Sequence, residues 1–399
     1  MLQSRWTMLG AIFVARAGMG FQYQTVASIA ASLRHELGLS LNQIGVLIGA
    51  YFIFGIILAL AGGIIALKIG ARRGAIFGLL LMAVGGLLAG LSHTWSLQLA
   101  ARALAGMGGV LINVMLAKLV TDWFADDKLA TAMGVFASSW TFGVAIALVS
   151  IPCLESALGL HGVLHVSAMW AAAGLVLVAA FSSDRPASSS PAMTQDIRAQ
   201  IKSLPWPGIV LAGLVWGWFN AAFANIFSFG PSSLVEQGLS SIAAGFLISL
   251  VLWTSLVSVP LGGVLADRIA APALLVALSP AIAAALMAFS FNGALLVVAL
   301  LAIGLTMGLP AGSIMALPSE ILQPQQRALG MGVFFAVFYL VMTLAPIAAA
   351  RLLAASGSAH AAYQAGALWI SFGLISFVAF RAYVAKVIEM KPKSVALNR

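Results

Sequence analysis

Two arginines, Arg16 and Arg102, stand inside long apolar runs, where an unpaired guanidinium costs at least about 2.5–3.5 kcal/mol at the centre of a membrane-crossing helix. Arg16 lies about ten residues beyond Trp6, which at 1.5 Å per residue is roughly 15 Å along a helix and so near the middle of a hydrocarbon layer about 30 Å thick. A guanidinium stays charged at any working pH and presents five donors in a rigid fork, the chemistry that captures a carboxylate or a small oxyanion. The chain offers it no carboxylate at that depth. All 11 acidic residues, from Glu36 to Glu389, fall in loops or at the ends of apolar runs, and the 5 histidines map toward one face. A visiting anion is therefore the natural counter-ion for Arg16, with a structural role, bonded to helix carbonyls or waters, as the alternative reading. A protein-borne proton relay, which needs a titratable group near mid-depth, is disfavoured. For Arg102, anion contact stands beside helix packing and gating as readings.

Polar and aromatic interruptions of the same runs complete the candidate set. Tyr23 and Gln24 follow Arg16 by two helical turns, and Trp216, Asn220 and Asn225 interrupt the seventh run. Trp140 and Tyr339 occupy matching zones of the fifth and eleventh runs, where they could line opposite walls of a cavity or simply pack. Gly106, Gly109 and Asn113 share a helical stripe with Arg102. Its glycines are most simply read as letting a neighbouring helix approach, while Asn113 is a cavity candidate. No nucleophile and base, no metal-ligand set and no glycine-rich phosphate loop with lysine is present, so neither an enzyme nor a bound cofactor or metal is expected. A single cysteine, Cys153, rules out disulfides within the chain.

The elements that must position these residues are membrane-spanning helices. Apolar residues make up 62% of the 399 positions and charged residues 8%, against the roughly 25% charged of a soluble domain. Windows of about 20 apolar residues recur along the chain, and the period-2 alternation of a membrane barrel is absent. The reading is an all-α protein with spans near 7–32, 43–66, 75–92, 96–121, 130–152 and 163–182, then 207–230, 242–265, 273–290, 294–317, 329–350 and 363–385. The first run holds an arginine and no small-residue cleavage site, so a retained span is expected. The Ser- and Pro-rich stretch from Ser182 to Pro205 divides six spans from six, giving an N-terminal bundle over 1–182, a linker over 183–206, a second bundle over 207–385 and a tail over 386–399. With the N-terminus inside, only Arg34 and Arg351 of the 20 basic residues fall outside, and Arg16 and Arg102 fall within spans. That bias places both termini in the cytoplasm and gives the net charge of +9 a topological meaning, without a nucleic-acid partner.

The two bundles repeat. Gly38-Leu39-Ser40 returns as Gly238-Leu239-Ser240, Gly45 as Gly245 and Gly62-Gly63 as Gly262-Gly263, all at an offset of about 200; Met133-Gly134-Val135-Phe136 returns as Met331-Gly332-Val333-Phe334 at an offset of about 198. The loop Gly63-Ile-Ile-Ala-Leu67-Lys68-Ile-Gly70-Ala-Arg72-Arg73, its repeat at Asp267-Arg268, and Arg102-Ala-Leu-Ala-Gly106-Met-Gly108 resemble signatures of the major facilitator superfamily. Lys118 to Phe124 and Ser138 to Gly143 are similar to its bacterial anion carriers of the cyanate and nitrate/nitrite type. The resemblance implies two pseudo-symmetric six-helix bundles with a cavity between them opening to alternate sides. It also implies charged gates at the cytoplasmic face, with Lys68, Arg72 and Asp122 in the first half and Asp267, Arg268, Glu320 and Arg327 in the second. Leu67 stands where that signature has an aspartate, so the first half is expected to lack that ionic latch. The expected whole is a monomeric carrier of a small anion in a bacterial inner membrane. Its competitor is an exporter of lipophilic compounds, which would tolerate loss of Arg16.

Overall fold

The computed structural model describes residues 5–59, 61, 69–124, 129–183, 202–269, 273–289, 293–323 and 326–390. Among these the regular structure is helical: α1 (Arg5–Ser28), α2 (Ala30–Leu37), α3 (Leu41–Ala50), α4 (Ala71–Gly90), α5 (Trp95–Phe124), α6 (Leu129–Phe181), α7 (Trp206–Glu236), α8 (Ser241–Arg268), α9 (Ala273–Ala288), α10 (Gly293–Gly308), α11 (Ala311–Ala316), a 3-10 turn (Leu317–Glu320), α12 (Arg327–Ser356) and α13 (Ala359–Met390). Nine helical stretches of the described residues are long and apolar enough to cross a membrane. One of them, within α6, is long enough to cross twice and breaks at Gly159, where φ is 69° and a side chain would be strained. The shorter α9 and the polar-marked α1, which carries Arg16, Gln22 and Gln24, complete the twelve crossings. Large apolar side chains such as Met169 and Val378 are about two-thirds exposed on the outer surface, as a lipid-embedded protein requires and a water-soluble one avoids.

The repeated Gly-Leu-Ser tripeptide has a local cause. Gly38 and Gly238 both take positive φ, which ends the preceding helical segment, and the serine two residues on caps the next helix. The Ser40 hydroxyl accepts from the Gln43 amide while the Ser40 amide donates to the Gln43 side chain, a reciprocal capping box; the Ser240 hydroxyl accepts from the Ala243 amide. The second span is not a continuous helix. After α3 it passes through a turn at Tyr51–Phe54, tied by bonds from Phe52 to Gly49 and from Gly55 to Phe52, before helix resumes. This turn sets the directions of the Tyr51 and Phe52 rings.

Within the first half α1 packs along α6, and α4 lies against both α5 and α6; within the second, α7 packs against α12 and α13, and α8 against α10. The halves meet along α3 with α12, α6 with α8, and α1 with α7. These seams obey the sequence repeat. Gly45 faces the Pro346 carbonyl and Ala350, and Gly245 faces the Leu148 carbonyl and Pro152. Position 45 maps to 245 at an offset of about 200, while 148 and 152 map to 346 and 350 at about 198, so one pseudo-two-fold operation superposes the two contacts. The seam contacts run from the end of the bundle far from the chain termini inward to the level of Tyr339, which meets Gly55, and of Trp253, which meets Phe142 at 5.8 Å.

Candidate functional site

Arg16, Trp140, Trp216 and Tyr339 all lie roughly ten to twelve residues along their helices from the termini end, a common depth of about 16 Å. Arg16 reaches it because α1 and α6 cross closely: Gly20 faces the Trp140 carbonyl and Gly143 the Ala17 carbonyl, and a Cβ at either would collide with backbone. The crossing brings the Arg16 guanidinium against the first turns of α6. Its Nη1 donates to the carbonyls of Phe136 (2.6 Å) and Ala137 (3.1 Å) and to the Ser139 hydroxyl (3.3 Å), and its Nε donates to Asn113 Oδ1 on α5 (3.0 Å). The Phe136 ring lies 4.2 Å from the guanidinium carbon. Every acceptor is neutral, and among the described residues no carboxylate pairs with Arg16 and its Nη2 donates to no protein atom. The side chain is half-buried. Asn113 continues the chain across the seam, its Nδ2 donating to the Tyr339 hydroxyl of α12 at 3.3 Å. Arg16, Asn113 and Tyr339 are thus joined directly.

Aromatic rings surround this group. Tyr23, buried to 1% exposure, contacts Tyr51, Phe52, Trp140 and Phe227, and Phe52 continues to Tyr339 and Phe338. Trp140 and Tyr339 are therefore linked through Tyr23 and Phe52 rather than facing each other alone. Trp216 stacks on Phe219 and tilts against Phe338, and Asn220 donates back to the Trp216 carbonyl. Gln24 lies further from the termini, its amide donating to the Phe227 carbonyl across the α1–α7 seam at 2.8 Å.

Arg102 is placed elsewhere. It is 5% exposed, and its fork donates to three backbone carbonyls, Leu47 (3.0 Å), Gln22 (2.7 Å) and Tyr23 (2.7 Å), with the Tyr51 ring 4.5 Å from its guanidinium carbon. Gln22 extends this hub, donating to the Met82 carbonyl and accepting from the Tyr51 hydroxyl. The group ties α1, the second span, α4 and α5 together behind the aromatic wall.

Of the expected gate residues, Lys68 and the side chains of Asp267 and Arg327 lie outside the described residues. Arg72 donates to the Ala179 carbonyl (2.6 Å), and Lys118 pairs with Asp122 one turn on (2.7 Å). Glu320 pairs with Arg381 of α13 at 2.8 Å, and Arg268 is exposed at the end of α8. Sequence reasoning passed over Phe136, Ser139, Phe52, Phe227 and Phe338. Of these Phe136 and Ser139 carried a signal, the first as part of the repeated Met133–Phe136 motif and the second as one of the hydroxyls, Ser138, Ser139 and Thr141, that flank Trp140.

Comparison with known proteins agrees with this architecture. The chain is 30% identical over 171 residues to the inner membrane transport protein YajR of Escherichia coli, covering 42% of this chain and 36% of that one. It is 24% identical over 232 residues to the cyanate transport protein CynX of the same organism, covering 57% and 58%. The chain thus spans less than two thirds of the length of these curated relatives. A crystal structure of a bacterial homologue of the human lysosomal transporter Spinster, described as inward-facing and unoccupied, superposes with a TM-score of 0.72 at 16% identity over 98% of both chains. The family model for the Major Facilitator Superfamily matches residues 12–240, more than half of the sequence, and with twelve crossings in two repeated halves the chain belongs to that superfamily of membrane transporters.

Proposed function

We propose that the protein carries a small anion, an inorganic oxyanion or a monocarboxylate, by alternating access, with Arg16 as the binding group. The supporting observation is that Arg16, at mid-depth on the seam between the halves, is held among the described residues only by neutral oxygens and keeps its Nη2 donors open to them. An anion entering beside Nη2 displaces the Asn113 oxygen from Nε, and the Nε–Nη2 edge then holds it with two parallel bonds. Asn113 also holds Tyr339 of the other half, so its release ties occupancy to the contact between the halves. The same shared residue supplies the differential interaction that any ligand-driven conformational change needs.

With basic residues concentrated on the termini side, that side is cytoplasmic. The seam contacts among the described residues then lie on the side facing away from the cytoplasm. The distant likeness to a cyanate transporter fits a small anion as cargo. The test is uptake by proteoliposomes of labelled monovalent anions and of a neutral lipophilic dye. Anion uptake that collapses in Arg16→Gln supports the reading. Dye transport that is indifferent to the same substitution, without anion uptake, replaces it with a lipophilic exporter.

A further inference from the structure

We infer that the anion bears its charge on a flat, apolar body, as an aromatic monocarboxylate does, in preference to a compact inorganic oxyanion. The inference rests on Arg16 as the anion-binding group and narrows the class of solute that group takes.

Charge comes first. Among the described residues Arg16 is the cation at this depth and keeps open donors on the seam; Arg102 lies nearer the far end of α5, sealed behind Tyr23 and Tyr51 with its fork on three carbonyls. One guanidinium balances one negative charge, which points to a monoanion. The donor count comes next. A compact oxyanion is strongly hydrated and must exchange its water shell for several donors. Within the group described it finds the Nη2 and Nε donors of Arg16, the Asn113 amide and the Tyr339 hydroxyl, with one indole N–H at the edge of each of Trp140 and Trp216, while the Asn220 amide is turned onto its own helix. A carboxylate is satisfied by one edge of the fork and asks nothing polar of the rest of the wall.

The rest of the wall is rings. Half-buried Trp140 stands on the first half and half-buried Trp216, Phe335 and Phe338 on the second. They form a connected set: Phe335 meets Phe338 at 6.2 Å, Phe338 meets Trp216 at 6.2 Å and reaches Phe52 of the first half at 6.4 Å, and Phe52 connects through Tyr23 to Trp140. Ring edges and faces of this kind hold a planar apolar body by offset stacking and by removing it from water. Phe136 already covers one guanidinium face, so the carboxylate meets the fork edge-on with its body toward the rings.

The experiment measures binding to the purified full chain by calorimetry with four probes: benzoate, its neutral counterpart benzamide, acetate and nitrite. The expected result is benzoate at least about tenfold tighter than acetate or nitrite, and benzamide without measurable binding. Trp216→Ala should lower the benzoate-to-acetate preference by roughly tenfold, the size of one lost ring contact with its buried area. Phe338→Leu, which keeps an apolar side chain in place, should lower it in the same direction should the tryptophan variant fail to fold. Acetate or nitrite binding as tightly as benzoate overturns the flat-body inference and leaves Arg16 as an anion site. Benzamide binding as tightly as benzoate, or no binding by any anion, overturns the Arg16 reading and this inference with it.

Discussion

Replacing Asn113 by aspartate gives Arg16 a built-in counter-ion at almost no change of shape. Asn113 Oδ1 is 3.0 Å from Arg16 Nε, so the charge centres of a carboxylate there and the guanidinium would be about 4 Å apart. Opposite unit charges at that spacing attract by about 1 kcal/mol in water and about 4 kcal/mol at the effective dielectric of a protein near its surface. Arg16 is half-buried, which places the value between these limits. An entering anion must then break that pair or share the guanidinium with a like charge. Its affinity should fall roughly 5- to 1,000-fold, at about 1.4 kcal/mol per tenfold. The assay is anion uptake in proteoliposomes together with thermal melting of the purified variant, which should hold or rise because a half-buried cation has gained a charged partner. Asn113→Asp that melts like the wild type and still takes up anion with unchanged affinity would refute the placement of the solute on this edge of Arg16.

Arg102 should behave differently. Arg102→Lys replaces a fork that spans carbonyls on two helices with a point charge, and each charge-assisted bond lost removes about 1.5–3 kcal/mol; melting should fall by several degrees while the anion affinity of the folded fraction stays within about threefold, and a variant with normal melting but no anion binding would contradict this. Gly49→Val and Gly245→Val set a side chain against the Thr343 and Leu148 carbonyls and should wedge the seams apart. Spin labels at the α3 and α12 ends far from the termini should report longer distances in Gly49→Val, and an unchanged distribution would count against the seam as the closing device. The exposed Glu320–Arg381 pair should contribute no more than about 1 kcal/mol, so Glu320→Gln should melt within a few degrees of wild type, and a much larger drop would show a closing contact there.

The repeat was the most legible feature of the sequence, for a physical reason: Gly38, Ser40 and Gly45 return in register because a turn, a cap and a close crossing each tolerate few residue types, and their second copies do the same work at Gly238, Ser240 and Gly245. The depth of Arg16 was legible too, since a helix converts residue number into distance. Its partners were not. The carbonyls of Phe136 and Ala137 are backbone atoms, and which one a crossing helix presents is decided by the angle that Gly20 and Gly143 allow, a property of two helices together. Arg102 was ambiguous for a similar reason. Two of its acceptors are carbonyls of α1, and the third, Leu47, adjoins the turn at Tyr51–Phe54, which interrupts a run with no proline and reads from sequence as plain helix.

The most direct test of the account compares anion binding by purified wild type, Arg16→Gln and Arg102→Lys in one calorimetric series, each normalised to its folded fraction. The account predicts saturable binding in the wild type, retained binding in Arg102→Lys and none in Arg16→Gln. Binding kept by Arg16→Gln and lost from Arg102→Lys would contradict it, moving the solute to the buried hub and away from the seam.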